Sequence, residues 1–542
     1  MLNMLRPIAL AIVALSMAGT PSAAAPDAAS SVLLFHNDKS RTGWYRHETA
    51  LTPTTVNTST FGKIWSLDLD GDVMATPLCV AGMTIGGRTR DVVYVATNND
   101  SVYALDAADG SVIWGPKTLG PSLTNAQFTG APNGGGHYGI TSTPVIDLNS
   151  NTIYVAGLVQ PGIKQKAMAW ALDLRTGAVR KGWPVTIKGT YRGRAFDAGQ
   201  VLQRGALLID RGRLLISFGS RQDLPDWHGW VAAVDIGPLA SGDAGAGAGH
   251  PVTVFTPDPD ADGGGIWGVG GLAVDDAGAI YAVTGNGEYD LPRGGHDVGQ
   301  CVLKLRITNG KLTFSEKPAD YYVAPNYQYL NETDQDLGGS AEVLLPDLKG
   351  SSTPHLLLTA GKDGLVYLLN RDNVGKIVQR FRLYGDPNDR SLTEIRATPA
   401  YFENASGQGY VVITGYDPGP TGCNGVTTFK VTATPGGPAR LVQEWTLPAP
   451  LAQPSVPEVS SNGADGAIVW VTERFRNNRG ALDAFDASTG RRLYSTEENG
   501  ARDGIGDCNS FTCPSVARGR VFIGTRDGVV AFGLLTAKEG RR

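Results

Sequence analysis

The chain has little charge and little cysteine, and both shortages restrict what it can do. Charged residues make up 18% of the 542 residues, and the formal net charge is −5 at pH 7. No run of lysine or arginine is present to follow a phosphate backbone, which argues against nucleic acid as a partner. The five cysteines form no C-x-x-C-H haem-attachment sequence, and their odd number leaves at least one thiol unpaired within the chain. Cys508 and Cys513 are close enough in sequence for a small disulfide, which is left open.

Long amphipathic helices are missing as well. After the N-terminus no stretch of a dozen residues has a helical period, whereas glycine (71 residues) and proline (32 residues) are frequent. Frequent turn residues between short apolar runs predict an all-β fold. Beyond the first residues no segment is long and apolar enough to cross a bilayer, so we expect no membrane span.

The N-terminus has the pattern of a secretory signal peptide. Arg6 supplies a positive charge, residues 8–17 are apolar, and residues 22–25 offer small side chains for cleavage. A retained membrane anchor is the alternative, but the apolar stretch is short for a span and no cysteine follows it for lipid attachment. We therefore expect a periplasmic or secreted protein.

The rest of the chain repeats one pattern of strands and turns. The clearest copy, from Val92 to Trp114, reads VVYVATNNDSVYALDAADGSVIW. An apolar strand that opens each unit, often after Thr-Pro, recurs at intervals of about 60 residues, which suits four-stranded propeller blades with loops. These openings are placed at Pro77, Pro144, Ala206, Leu272, Ala341, Pro399, Pro457 and Pro514. Eight openings predict an eight-bladed β-propeller; seven blades are the alternative, with one weaker unit as an insertion.

The two ends of the repeat array complement each other. The last copy, which begins at Val521, stops before its closing strand, while residues 62–69 (GKIWSLDL) form a strand of that kind with no blade of its own. Pairing this N-terminal strand with the last blade would close the ring and leave no exposed sheet edge. The predicted organisation is a signal peptide over 1–25, an N-terminal extension over 26–61, a propeller over 62–536 and a C-terminal tail over 537–542.

Three segments resemble a known family. Residues 263–287 read GGGIWGVGGLAVDDAGAIYAVTGNG, residues 333–345 read TDQDLGGSAEVLL, and residues 360–372 read AGKDGLVYLLNRD. Together with the repeats, they resemble the pyrroloquinoline quinone (PQQ) propeller family, in particular the quinoprotein alcohol dehydrogenases. The resemblance covers nearly the whole chain after the signal peptide, and it is specific for the fold and weak for activity.

The resemblance implies a cofactor site with PQQ and calcium. Trp267 takes the position of the tryptophan beneath the quinone, and Asn286 that of an amide that binds both the cofactor and the metal. Asp336 takes the position of the catalytic aspartate, which also contributes to the metal site. Lys362 takes the position of the cation that contacts the quinone. These residue types are chemically consistent, because an indole stacks on a planar ring, calcium prefers oxygen ligands, and a carboxylate can accept an alcohol proton.

Some expected features of these dehydrogenases are absent. The pair of adjacent cysteines over the quinone is missing, residues 157–166 contain no glutamate for calcium, and residues 396–401 read RATPAY where an Asn-Trp element is expected. Each matched residue also has an ordinary alternative. Trp267 would then pack at a blade interface, and Asn286 would form a turn. Asp336 would be a solvated acid, and Lys362 an exposed turn lysine.

Two functions therefore remain open. The first is a PQQ- and calcium-dependent dehydrogenase that oxidises a small-molecule alcohol or sugar and passes electrons to a separate acceptor. The second is a non-catalytic scaffold whose propeller face binds a protein or polymer in the cell envelope. We expect a monomer in either case. Convergence of the four residues at one end of the central channel would favour the first. His137 and His296, in glycine-rich loops, are minor ligand candidates.

Overall fold

The computed structural model describes residues 25–124, 127, 136–221, 223–237, 249–385, 395–416, 425–447 and 451–536. The signal-peptide prediction falls, except for Ala25, outside these residues, and so does the predicted C-terminal tail. Within the described ranges no helix is long and apolar enough to cross a membrane. The described residues form eight blade sheets and one two-stranded hairpin. Within each blade the strands of one sequence repeat pair antiparallel, and N-terminal strands join three blades: Asp27–Val32 joins the first, Trp44–Tyr45 joins the seventh in parallel, and Phe61–Asp68 joins the eighth.

The first four blades contain the strands of the N-terminal half of the ring. Blade 1 consists of Leu78–Ile85, Arg88–Ala96, Ser101–Asp106 and Val112–Thr118; blade 2 of Val145–Asp147, Thr152–Val159, Lys166–Asp173 and Val185–Thr186. Blade 3 consists of Leu208–Asp210 with Val201–Leu202 beside it, Arg213–Ser220, Trp230–Asp235 and Val252–Phe255. Blade 4 consists of Ala273–Val274, Ile280–Val283, Cys301–Thr308, Lys311–Thr313 and Tyr321–Val323.

The other four blades follow the same order from the inner to the outer edge. Blade 5 consists of Val343–Leu344, Leu356–Ala360, Leu365–Asn370 and Asn373–Arg382; blade 6 of Ala400–Glu403, Gly409–Gly415, Gly425–Ala433 and Ala439–Thr446. Blade 7 consists of Glu458–Asn462, Asp465–Arg474, Gly480–Asp486 and Arg492–Ser495, and blade 8 of Ser515–Ala517, Arg520–Gly524, Gly528–Leu534 and Phe61–Asp68.

Helices are few and short in the described ranges, and a small hairpin lies outside the blades. The two α-helices are Tyr327–Thr333 and Gly500–Asp503; the 3-10 turns are Ala198–Gln200, Leu291–Arg293, Leu337–Gly339 and Thr496–Asn499. The hairpin pairs Thr190–Tyr191 with Arg194–Ala195.

All eight predicted openings lie within two residues of the inner strand of a blade, which confirms the eight-bladed all-β propeller and excludes the seven-bladed alternative. Strands within the blades are apolar on both faces because each blade packs between two others; Thr152–Val159, the second strand of blade 2, is buried at every position. Outer strands such as Val112–Thr118 face solvent and are largely exposed. This difference explains why the repeats read as continuous apolar runs and not as strict alternation.

The ring closes through its N-terminal strand. The strand expected over 62–69 is found at Phe61–Asp68, and it pairs antiparallel with Gly528–Leu534, with Lys63 opposite Phe532. Its Trp65 then reaches blade 1, where the indole Nε1–H donates to the Ala107 carbonyl at 3.2 Å. The closing strand therefore binds blade 8 by its backbone and blade 1 by a side chain.

The N-terminal extension runs inside the ring. Asp27–Val32 pairs with the inner strand of blade 1. The residues that follow accept hydrogen bonds from the second residue of the inner strand in blades 2, 4, 5, 6 and 7. These donor and acceptor pairs are Ile146–Leu33, Val274–Lys39, Leu344–Ser40, Tyr401–Thr42 and Val459–Gly43, at 2.7–2.9 Å. One segment thus satisfies backbone groups that would otherwise line an open channel.

Arg41 is the centre of this inner segment, and its side chain is fully buried. The guanidinium donates to the carbonyl oxygens of Leu272, Phe35, Ala206 and Leu207, at 2.9–3.2 Å. Burial lowers the pKa of Arg41 to about 10. Around it, Phe35 belongs to an apolar cluster drawn from several blades that fills the channel. The centre of the propeller is therefore a packed plug, with space left only where the loops rise above it.

Candidate functional site

A cavity of about 310 Å³ lies where the loops that precede the inner strands meet. The loops before blades 2, 3, 4, 5, 6 and 8 contribute to it, together with loops within blades 3 and 5 that carry Asp223 and Lys362. The lining residues from the loops before the blades are, in that order, Tyr138, Arg204, Trp267, Asp336, Arg396 and Phe511. Loops from six blades meet only near the axis, so the cavity lies at one end of the central channel. Arg204 and Phe511 also border a small void beside Phe35 of the plug.

Trp267 forms one wall of this cavity, and glycines make room for its ring. A Cβ atom at Gly265 would lie 2.6 Å from the indole, and one at Gly219 would lie 2.5 Å from it. The backbone carbonyl of Trp267 accepts two hydrogen bonds from Arg204, at 2.9 and 3.0 Å. Glycine is thus required before Trp267 because the backbone there passes close to the Trp267 indole. Trp267 is half-buried and lines the cavity.

Asp336 and Lys362 form a largely buried ion pair near Trp267. The Lys362 Nζ contacts Asp336 Oδ2, lies 3.6 Å from Asp334 Oδ1, and donates to the Asp334 carbonyl at 3.2 Å. The Asp336 side chain is 5% exposed and that of Lys362 is 16% exposed. Neither side chain is the solvated surface group of the alternative interpretation. Gly285 lets Asp336 and Trp267 approach each other, because a Cβ there would lie 2.4 Å from Asp336 Oδ1 and 2.9 Å from Trp267.

Asn286 lies behind these acids and does not line the cavity. Its backbone N–H donates to Asp336 Oδ1 at 2.7 Å, and its side-chain amide donates to Asp334 Oδ1 at 2.8 Å. Its Oδ1 accepts from Gln300 Nε2 at 2.9 Å. Asn286 therefore orients both carboxylates. The structure brings the four predicted residues into one contact network, with three of them on the cavity wall.

The other side chains of the cavity combine aromatic rings with positive charge. The Arg204 guanidinium lies 4.2 Å from the centre of the Phe511 ring and 5.9 Å from that of Trp267. Burial lowers the pKa of Arg204 to about 10, and the described residues include no ion-pair partner for it. Burial also raises the pKa of Asp223 on the cavity wall, and the charges of Asp336 and Asp334 raise it further. A buried cation between rings suits a planar anion.

A calcium ion does not fit this arrangement. Asp336 already uses one oxygen for the Asn286 N–H and the other for Lys362, and the Asn286 side-chain oxygen is taken by Gln300. Calcium needs six to eight oxygen ligands. In the described ranges, the cluster of three ligating side chains close enough to share an ion lies elsewhere, at His36, Glu458 and Cys513. The Lys362 ammonium instead supplies the positive charge next to Asp336.

Comparisons with known proteins concern the repeats and the fold. A family model, PQQ_2, described as outer membrane protein assembly factor BamB, matches residues 52–237, about a third of the chain. Over these residues the chain is similar to PQQ-type repeat propellers. No curated protein sequence matches it.

Solved dehydrogenase structures share the fold of this chain. A quinohemoprotein alcohol dehydrogenase from Pseudomonas putida HK5 is 15% identical with a TM-score of 0.60, over 93% of this chain and 80% of that one. The enzyme from Comamonas testosteroni is 17% identical with a TM-score of 0.57, over 93% and 80%. A europium-containing methanol dehydrogenase is 14% identical with a TM-score of 0.59, over 94% and 98%. At such identities the likeness concerns the fold alone.

Several groups in the propeller's cavity were not predicted. Arg204, Asp223 and Phe511 come from loops without a recognisable motif, although each precedes or follows a predicted strand opening. Arg396, which belongs to the RATPAY segment, also lines the cavity. The two histidine candidates lie elsewhere: His137 pairs with Ser122 at 2.7 Å, and His296 with Glu316 at 3.2 Å. Cys508 and Cys513 both carry free thiols, so the small disulfide is not formed.

Proposed function

We propose that this PQQ-type propeller is an exported oxidoreductase that binds a planar, anionic quinone of the PQQ class beside Trp267 and oxidises a small alcohol or sugar. The proposal rests chiefly on one observation, the largely buried Asp336–Lys362 pair in a cavity that aromatic rings and Arg204 also line. The quinone, when bound, supplies a two-electron acceptor for a hydride from the alcohol carbon.

The residues that line the cavity have different roles in this proposal. The Trp267 indole offers a flat apolar surface for stacking, and Arg204 offsets the negative charge of the cofactor. The Asp336 carboxylate accepts the hydroxyl proton of the alcohol, because it is the buried base on the cavity wall. Lys362, in contact with Asp336, stabilises the oxyanion that develops during the reaction. No step requires calcium, since Lys362 provides the local positive charge.

Electrons leave the protein through a separate acceptor in this proposal, because the sequence contains no C-x-x-C-H haem motif. The signal-peptide pattern at the N-terminus supports action in the periplasm or outside the cell. The cavity of about 310 Å³ suits a small molecule, not a polymer.

A calorimetric titration of the processed full chain with PQQ tests the proposal, with calcium in one series and a chelator in the other. We expect one PQQ per chain with similar affinity in both series, and at least tenfold weaker binding for Trp267→Ala and for Arg204→Ala. A dye-linked assay with alcohols and sugars then tests turnover. Absence of PQQ binding at high concentration would remove the enzyme proposal and leave the non-catalytic scaffold.

A further inference from the structure

The plug of the propeller contains a second group of reactive side chains, separate from the cavity. His36 lies on the inner segment, Glu458 begins the inner strand of blade 7, and Cys513 lies two residues before the inner strand of blade 8. All three are buried, with exposed fractions of 2%, 3% and 1%. One ligand atom from each lies within 4.8 Å of the other two. The inner segment and the last two blades therefore meet at a His–Glu–Cys cluster.

The hydrogen bonds of His36 and Glu458 leave one ligand atom of each facing the cluster, and the Cys513 thiol donates to the Pro514 carbonyl at 3.5 Å. His36 Nδ1 lies 3.0 Å from the Arg41 carbonyl, which can only accept, so Nδ1 carries the proton and Nε2 holds a lone pair. Nε2 has no hydrogen-bond partner and lies 3.9 Å from Glu458 Oε2. The other carboxylate oxygen, Oε1, accepts from Asn37. A backbone carbonyl behind the ring and an amide behind the carboxylate are typical supports of metal ligands.

One nitrogen of the cluster lacks a hydrogen bond. His36 Nε2 is buried and has no hydrogen-bond partner. A buried imidazole nitrogen without a hydrogen bond costs free energy in an apolar plug. A bound cation would satisfy that nitrogen.

We propose that His36, Glu458 and Cys513 bind one thiophilic divalent cation of the zinc class. Imidazole, carboxylate and thiolate are all zinc ligands, and neighbouring donors in a tetrahedral zinc site lie about 3.3 to 3.8 Å apart. The observed separations need to contract by about 1 Å or less. Zinc binds Cys513 as the thiolate, so binding releases the thiol proton to solvent. The cation then fastens the inner segment to blades 7 and 8.

Cobalt titration of the chelator-treated full chain tests the site, because a thiolate ligand gives an ultraviolet charge-transfer band with Co²⁺. We expect one Co²⁺ per chain, displacement by Zn²⁺, and a rise in Tm on addition of Zn²⁺. Cys513→Ser should abolish the band, and Glu458→Gln should weaken binding at least tenfold. Cys508→Ser and Glu342→Gln, which change another buried thiol and another buried glutamate, should leave the titration unchanged.

A surface group could also bind the cation, and the experiment must distinguish it from the buried cluster. Exposed His355 lies 2.9 Å from Asp372 and 3.6 Å from Asp347. Binding that His355→Ala removes and Cys513→Ser leaves intact would overturn the proposal, and so would the lack of a charge-transfer band in the wild-type chain. If Cys513→Ser does not fold, X-ray absorption of the zinc-loaded wild type decides: one sulfur ligand at about 2.3 Å supports the site, and nitrogen and oxygen ligands alone contradict it.

Discussion

The indole of Trp114 on blade 1 packs across Gly177 on blade 2, and its Nε1–H donates to the Leu174 carbonyl at 3.0 Å. The same arrangement joins Trp65 to Gly110 and Trp445 to Gly490. The tryptophan that ends one repeat and the glycine turn of the next are thus one inter-blade contact. Because the glycine has φ +66° and a Cβ there would lie 2.7 Å from the ring, the position admits no other residue without strain.

We therefore expect Gly177→Ala to destabilise the propeller by about 2 to 4 kcal/mol, since it combines a positive φ with a clash against the indole. Chemical denaturation followed by tryptophan fluorescence measures the change. Gly310→Ala is the matched control, because Gly310 has φ +75° and nothing within 4 Å of a Cβ. Equal losses for the two variants would show that the Trp114 contact adds nothing to the cost of the backbone angle.

Arg41→Met should be more damaging than either glycine change. It leaves four buried carbonyl oxygens without their donor, and each unsatisfied group costs about 1 to 3 kcal/mol. The measurement is the shift in Tm and in the denaturation midpoint. Arg46→Met is the control: Arg46 is exposed and stacks on Trp44, so its loss should cost less than about 1 kcal/mol. A stable Arg41→Met chain would mean that the inner segment does not hold the ring together.

Glu342 should make stability fall as pH rises. Burial raises its pKa from 4.5 to about 8, so at pH 7 the folded chain keeps a proton that the unfolded chain releases. Its stabilising contribution is complete below pH 4.5 and is lost as pH rises through about 8. Relative to Glu342→Gln, the wild-type free energy of unfolding should fall by about 1.4 kcal/mol per pH unit across this range. Exposed Glu498→Gln should reproduce the wild-type slope, and equal slopes for all three proteins would contradict the prediction.

Asp336→Asn should separate binding from turnover in the proposed enzyme. The variant keeps the shape of the cavity wall, so PQQ affinity should change by less than about fivefold, while kcat should fall by about 10² to 10⁴ through loss of the base. Steady-state kinetics and calorimetry measure the two effects. Glu332→Gln, an exposed acid four residues away and outside the cavity, is the control. Unchanged kcat in Asp336→Asn would assign proton transfer to another group.

The four described cysteines should behave as buried thiols. Cys79, Cys301, Cys508 and Cys513 are all free and buried, and burial raises the pKa of each one, which suppresses the reactive thiolate. Alkylation followed by mass spectrometry should leave these four unlabelled in the native chain and label them after unfolding without reductant. Labelling of Cys508 and Cys513 only after reduction would indicate the disulfide that the structure lacks.

Much of the fold, and part of the candidate site, could be predicted from local sequence patterns. The blade number followed from the openings, because each blade repeats the same strands and turns, and Trp267 and Asp336 were found because they lie in recognisable segments. Arg204 and Phe511 were missed, since only the closed ring brings their loops to the axis. The inner segment was predicted merely as an extension, because its hydrogen bonds are made by backbone atoms to blades far away in sequence. Asn286 has the residue type that the family resemblance expects. Its side chain nevertheless donates to Asp334, and this orientation depends on packing that the sequence does not reveal.

The course of the inner segment also determines when the molecule can become complete. Residues 27–48 lie along the inner edges of most blades, and Phe61–Asp68 supplies the outer strand of the last one. The part of the chain that is made first must therefore wait for blade 8, which is made last, before the ring can close. Blades formed early during synthesis would expose apolar edges throughout that interval. Production of the intact propeller thus depends on keeping a nearly full-length chain from aggregating until its two ends meet.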